Sequence, residues 1–313
     1  MNTSSKQWDI IPDIHGHAFK LTSMLSKLGY ANTNGAWRYP DPNRTAIFLG
    51  DFIDRGPENG KVIDIVRRMI DAGSAQAIMG NHELNAIHFH TLHPDTGNPL
   101  RDRTDTKNID QHETFLKEFQ IGSSSTDDAI TWMKSLPIYL DFGEFRVVHA
   151  SWSNAAKLVL DNYTATGHLS HENFIHAANT SHDLFDPIEL LTKGPELELK
   201  NGHYFHDKSR HRRTSVRVKW WQDQADNWRD IAMSVPDVNE LPDCPLPVEA
   251  NIEPYNQKEK LVFFGHYWLT GTLELQSPNA LCLDYSVGEG GPLTSYSYCS
   301  GDDELNLGRI TQS

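Results

Sequence analysis

Cysteine is scarce in this chain. Only Cys244, Cys282 and Cys299 occur in 313 residues. They are scattered, lack zinc-site spacing, and cannot all pair with one another. Neither a disulfide framework nor a thiolate metal site organises the protein, and a reducing, cytoplasmic setting is the expectation. Long apolar runs are missing too. No stretch approaches a membrane span, and residues 1–8 have no signal-peptide core. Positive charge is in deficit: 28 Lys and Arg against 42 Asp and Glu give a net charge of −14. That balance argues against broad nucleic-acid binding or an anionic membrane partner. It is compatible with cations bound among carboxylates, although solvated surface accounts for most of it. There is no internal repeat and no low-complexity tract.

What is present is a series of short apolar segments, each ending in polar residues. Ile47, Phe48 and Leu49 read as a buried strand, and Gly50 lets the chain turn. Asp51, Asp54 and Arg55 follow within five residues. Pro57 then stands where a helix starts, and Val62, Ile63, Ile65, Val66, Met69 and Ile70 mark that helix over 61–71. The acidic cluster therefore lies between a strand end and a helix start, where open α/β sheets place ligands. Alone, the same residues also read as a hydrogen-bonded turn.

The pattern recurs along the chain. Residues 9–12 form a strand leading to Asp13 and His15, two apart and so on one side of an extended chain. Gly16 then opens a helix carrying Phe19, Leu21, Met24, Leu25 and Leu28, stopped by Gly29. A strand over 75–79 ends at Gly80, Asn81, His82 and Glu83. Residues 91–112 are polar and read as a surface excursion. Helices are expected around 115–119 and over 126–133, the latter capped by Thr126. A hairpin over 138–148 delivers His149. Residues 154–215 read as a partly helical insertion over the active edge of the sheet. A strand is expected over 216–221. Residues 234–258 hold five prolines and read as a long loop. A strand over 261–264 ends at Gly265 and His266, and residues 280–285 and 293–298 read as paired strands.

Five separated strands thus end in metal-ligand types. Any one histidine after a strand is ordinarily a loop residue. Sheets gather their strand ends at one edge, however, so Asp13, His15, Asp51, Asn81, His82, His149 and His266 would converge. Such a nitrogen and oxygen set suits two borderline divalent ions such as manganese, iron or zinc.

Asp13, His15 and Gly16, the run from Gly50 to Gly56, the run from Gly80 to Glu83, His149, and Gly265 with His266 occur in one order. This order resembles the calcineurin-like metallophosphoesterases, most closely the phosphoprotein phosphatase branch. That branch includes bacterial phosphatases and diadenosine tetraphosphate hydrolases. The resemblance runs from residue 9 to about residue 298, including Asp284, Tyr285 and Ser286 near the close. It implies an α/β fold, a two-sheet β-sandwich flanked by helices, as one domain over 1–313.

The resemblance further implies that Asp13, His15 and Asp51 hold one metal. Asp51, Asn81, His149 and His266 hold the second, with Asp51 bridging. On the same resemblance a bridging water would attack the phosphate ester. Arg55 and Asn81 would bind phosphate, with Arg217 or Arg213 as a second arginine. His82 would be the general acid, and Asp54 would orient it. Outside this branch a second histidine often follows the Gly-His histidine by two positions. Here that position is Trp268, which cannot ligate and is expected to leave the first metal more open to solvent.

Other segments carry blander readings. The run His88, His90, His93 reads as a solvated helix end, and Glu83 as structural. Trp220 and Trp221 read as core, while Tyr267 and Trp268 stand close enough to His266 to wall a pocket. The leading function is a phosphoprotein-phosphatase-like phosphomonoesterase acting on a phosphorylated protein or a small-molecule phosphate. Dinucleoside polyphosphate hydrolysis is the alternative. A silent binding module ranks below both because every ligand type and His82 are present. A nuclease ranks below because of the acidic charge.

Overall fold

The computed structural model describes residues 5–207, 210–222, 225–247 and 253–313. Strand Gln7–Ile11 is central to a five-stranded sheet. Arg44–Phe48 pairs with it in parallel, and Thr294–Cys299 antiparallel. Ala75–Ala77 and Ile310–Gln312 form the edges. In a four-stranded sheet, Phe145–Val148, Leu261–Phe264 and Ala280–Cys282 run parallel, and Tyr139–Asp141 joins as a hairpin.

The strand residues dictate why the two sheets stack. Ile10, Ile47, Val147, Phe263 and Leu281 are buried in one cluster, together with Tyr296 and Tyr298. One residue further along each strand, Ile11, Phe48, Val148, Phe264 and Cys282 belong to a second cluster with the helices. Side chains alternate across a strand, so a strand apolar at every position must be covered on both faces. The expected sandwich flanked by helices is the outcome. Helix Asn59–Asp71 contributes Val62, Ile63, Val66 and Met69 to the helix-side core, beginning two residues after Pro57.

Several local expectations change. Residues 280–285 and 293–298 do not pair. Ala280–Cys282 lies in the four-stranded sheet and Thr294–Cys299 in the five-stranded one, so the intervening turn crosses the sandwich. Phe19 is 79% exposed, on the solvent face of helix Ala18–Lys27. Helix Ser124–Lys134 is capped by Ser123, whose Oγ accepts from Thr126 N, while Thr126 Oγ1 donates to Gln120 O. The helix expected at 115–119 spans Thr106–Glu118, so it starts inside the segment 91–112 that reads as surface.

Residues 154–215 hold helices Asn154–Asp161, His171–Ala177 and Phe185–Lys193, and Leu160, Phe174, Ile188 and Leu191 join the core. The strand expected over 216–221 is Ser215–Val218, and Trp220 and Trp221 are buried. Within 234–258 Leu241 and Tyr255 are buried, and 248–252 lie outside the described residues. The three cysteines are free, and no helix among the described residues is long and apolar enough to cross a membrane.

The parallel strands of both sheets end at one edge, and glycine lets the loops there touch. Gly50 has φ +91, and a Cβ on it would lie 2.3 Å from Gly80 N. Gly50→Ala combines a left-handed backbone penalty with a clash between backbones. It is expected to lower the unfolding free energy by more than about 2 kcal/mol in urea titration. A loss under about 0.5 kcal/mol, typical of a surface change, would mean the loops can separate freely.

Candidate metal centre

The strand-end loops are strained. His15 (φ 47), Asp51 (φ 50), Asp54 (φ 69), Arg55 (φ 68) and His266 (φ 72) all adopt left-handed backbone. Each such residue costs of order 1–3 kcal/mol and persists only where its surroundings enforce it. Glu83 provides much of that enforcement. Its Oε2 accepts from Asp51 N at 2.8 Å and Gly80 N at 2.9 Å, and its Oε1 from Phe52 N at 2.8 Å. Asp51 O in turn accepts from the Ile14 and His15 amides, and His149 O accepts from Gly265 N. The structural reading of Glu83 therefore holds, with a specific task.

On this frame the donor atoms converge. His149 Nδ1 donates to Leu49 O at 2.7 Å. Its Nε2 is then a lone pair in the neutral ring, and it points at Asn81 Oδ1 (3.0 Å) and Asp51 Oδ2 (3.4 Å). His266 Nδ1 lies 2.9 Å from the same Asn81 oxygen. His15 follows the same logic. Its Nδ1 donates to Ile53 O at 3.0 Å, leaving Nε2 buried and without a hydrogen-bond partner. That nitrogen faces Asp51 Oδ2 at 3.7 Å and Asp13 Oδ2 at 3.9 Å. Lone pairs aimed at one another in a dry site need positive charge between them, a proton or a metal ion. The nitrogen and oxygen donor set suits divalent metal ions.

The electrostatics agree. Asp13, Asp51, Asp54, Glu83 and Asp284 are all buried. Burial, with Asp284 nearby, pushes the Asp13 carboxyl well above its usual range. Burial and Asp51 push Glu83 up to about 7. Burial disfavours charge on Asp51, but His149 and His82 outweigh it and hold Asp51 well below the ordinary carboxylate range. Burial likewise opposes charge on His149, yet Asp51 and Asp13 push it up to about 10. A site that draws a proton onto a buried imidazole is short of positive charge.

His82 clusters with His15 and Asp51 but has a further partner on its other nitrogen. Its Nδ1 donates to Asp54 Oδ2 at 2.6 Å, and its Nε2 lies 4.0 Å from Asp51 Oδ2. Burial opposes a charge on it, but Asp51 and Asp54 raise it above the ordinary histidine value. Arg55 is exposed, its guanidinium 5.1 Å from the Trp268 ring. Trp268 also packs 5.7 Å from the His15 ring, so it covers the side expected to be open. Arg217 pairs with Glu196 at 3.8 Å, and together with burial its charge holds His266 well below the ordinary range. Arg213 turns away to Asp207.

Three contributors escaped the sequence reading. Arg101, Gln111 and His112 lie in the segment read as a surface excursion. Arg101 Nη2 donates to Gln111 Oε1 at 2.7 Å, which turns the Gln111 amide nitrogen toward His82 Nε2 at 3.4 Å. His112 is 4% exposed and reaches Asp54. The first two histidines of the run are not solvated either, while His93 sits half-exposed in the loop beyond the helix. His88 is buried against Phe174 O, and His90 meets His112. The available signal was the stripe Ile109, His112, Phe115, Phe119, which has helical spacing with histidine in an apolar row.

Glu83→Gln tests the frame without touching a candidate ligand. One carboxylate oxygen becomes an amide N–H facing a backbone N–H. Manganese affinity by calorimetry is expected to fall about 10–100-fold with circular dichroism unchanged. Unchanged affinity would show that the loops hold themselves.

Comparison with known proteins places this geometry. The family model for calcineurin-like phosphoesterases matches residues 9–267. A bis(5'-nucleosyl)-tetraphosphatase (asymmetrical) of Bacillus subtilis is 32% identical over 150 residues, 46% of this chain and 57% of that protein. The protein of the same name from Oceanobacillus iheyensis is 43% identical over 74 residues, 24% of this chain and 29% of that one. The chain spans about half or less of the length of these curated relatives. Among solved structures, a protein serine/threonine phosphatase from Saccharomyces cerevisiae superposes with TM-score 0.52 at 13% identity, covering 99% of this chain and 80% of that one. A cold-active protein-tyrosine phosphatase of Shewanella gives 0.50 at 14%, covering 94% and 76%. At such identities the likeness is one of fold. With the family match running through the strand ends that carry the converging donor atoms, this chain belongs to the calcineurin-like phosphoesterase family.

Proposed function

We propose that the protein is a phosphoric ester hydrolase that works with two divalent ions, manganese in preference to iron or zinc. Asp13, His15 and Asp51 would hold one ion, and Asp51, Asn81, His149 and His266 the other. The observation that carries this reading is a pair of donor clusters that share Asp51, one with His15 and His82 and one with His149 and His266, with Asp13 facing His15 and Asn81 facing His149 and His266. When bound, such ions activate a water and stabilise charge on the phosphoryl oxygens.

The chain's own residues supply the rest. Arg55, exposed at the mouth and backed by Trp268, offers a planar fork to phosphate oxygens. Asn81 and Arg217 would add contacts on the His266 side. As water oxygen bonds to phosphorus, the bond to the leaving oxygen breaks. His82 Nε2–H passes its proton to that oxygen, giving an alcohol and orthophosphate. Asp54, fixed on His82 Nδ1, orients the ring and favours the imidazolium that must donate. Helix Phe185–Lys193 would help wall the substrate side, since Ala150 N and Ser151 Oγ donate to Leu191 O and Leu190 O next to His149.

A phosphomonoester is the substrate this arrangement serves most simply. The name of the sequence relatives favours a second reading, asymmetric cleavage of a dinucleoside tetraphosphate. Phosphopeptide, diadenosine tetraphosphate and a bis-ester, offered to the same manganese-loaded protein, separate the two. The first reading predicts orthophosphate release from phosphopeptide with the highest kcat/KM, and faster turnover of the tetraphosphate would move the assignment to the second.

The proton donor is tested by leaving group. General acid help is typically worth about 10²–10⁴-fold, and a nitrophenolate scarcely needs it. His82→Ala is expected to reduce turnover of an alkyl phosphate by about that factor while p-nitrophenyl phosphate loses far less, with metal content unchanged. Equal losses on both, with metal lost, would make His82 a ligand instead.

A further inference from the structure

Asp54 has two oxygens, and each takes a different histidine. Oδ2 accepts from His82 Nδ1 at 2.6 Å, and Oδ1 accepts from His112 Nδ1 at 2.9 Å. His112 comes from helix Thr106–Glu118, 58 residues further along the chain. Its ring is held on two sides, stacked on Phe115 with centroids 4.7 Å apart and edge-on to Phe89 at 5.2 Å. Its Nε2 lies 3.2 Å from His90 Nε2. Because His112 gives its Nδ1 proton to Asp54, its Nε2 is the acceptor and His90 Nε2–H the donor. His90 therefore fixes the tautomer that lets His112 donate.

The same helix also fixes the backbone of Asp54. Glu118 Oε1 accepts from Asn59 N and Asn59 Nδ2, both at 2.7 Å. Asn59 Oδ1 accepts from Asp54 N at 2.6 Å. Asp54 has φ 69, a conformation that needs such support. A carboxylate bonded through one oxygen keeps a soft torsion about Cβ–Cγ. A donor on the opposite oxygen removes that freedom, and the imidazole bonded to the first oxygen inherits the order.

We propose that His112 is a positioning residue: by holding the second oxygen of Asp54 it fixes the plane of that carboxylate and so aims His82 Nε2 at the leaving oxygen. The proposal rests on the reading of His82 as proton donor. It assigns a role in the chemistry to helix Thr106–Glu118, far in sequence from the strand-end motifs.

The test compares His112→Phe with His112→Asn in the manganese-loaded full chain. Phenylalanine keeps the ring and its stacking but cannot donate. Asparagine restores an N–H near the position of Nδ1. His112→Phe is expected to lower kcat on an alkyl phosphate about tenfold more than kcat on p-nitrophenyl phosphate, a fraction of the about 10²–10⁴ attributed to the acid itself. KM should stay put, and His112→Asn should regain most of the difference. In a His82→Ala background, His112→Phe should add no further selectivity, because the group it aims is gone.

Should His112→Phe fail to fold, His112→Leu, which likewise cannot donate, supplies the same comparison. Equal losses on both substrates, no recovery with asparagine, or selectivity persisting in the His82→Ala background would each overturn the proposal. A His82→Ala enzyme with no leaving-group selectivity of its own would instead remove the donor reading, and the role of His112 with it.

Discussion

Five carboxylates buried within one loop cluster set the terms for this protein. Asp13, Asp51, Asp54, Glu83 and Asp284 have almost no access to water. Charges of one sign cannot be held in a low dielectric without compensation. The chain answers in two ways. Glu83 and Asp284 are met by backbone amides: Gly80, Asp51 and Phe52 for the first, Trp268 and Ser286 for the second. Asp51 is surrounded by histidines, and Asp54 is bonded by two. Asp13 accepts from the His266 amide at 3.1–3.2 Å, has His15 Nε2 3.9 Å away, and keeps a carboxyl pushed upward. The compensation is incomplete around Asp13 and Asp51, and complete around Asp54. In the function proposed above, that division would separate a place for cations from a place for a proton.

The geometry depends on backbone more than on side-chain packing. Positive φ at His15, Asp51, Asp54 and His266 swings each side chain inward from the end of its strand. Glycine contacts let the loops meet. A Cβ on Gly80 would lie 2.2 Å from Asp51 Oδ1, and one on Gly265 would lie 2.0 Å from Asp13 Oδ1. A Cβ on Gly288 would crowd His15 and Arg55, so the closing loop also approaches the site intimately. Strain is tolerated here because two sheets, buried on both faces, supply a rigid base.

Much of this was legible because it is local. A strand, a glycine and a ligand type lie within five or six residues, so Asp13, His15, Asp51, Asn81, His149 and His266 could be read one loop at a time. Their convergence followed from the tendency of sheets to gather strand ends. What was not legible depends on contacts between distant segments. His112 lies 58 residues from Asp54, in a stretch whose polarity resembles solvated surface. The strands at 280–282 and 294–299 looked like a hairpin because they are neighbours in sequence, yet they lie in different sheets, and nothing local says which sheet takes which. Trp268 could be excluded as a ligand from its chemistry alone, but its packing over His15 and Arg55 needed coordinates.

The central claim is that Asp51 stands between two cations, and anomalous diffraction from crystals soaked in manganese tests it most directly. The account predicts two peaks about 3.5–4 Å apart. Asp51 should lie between them, with Asp13 and His15 beside one and Asn81, His149 and His266 beside the other. A single peak at saturating manganese, or a second peak remote from Asp51, would contradict it.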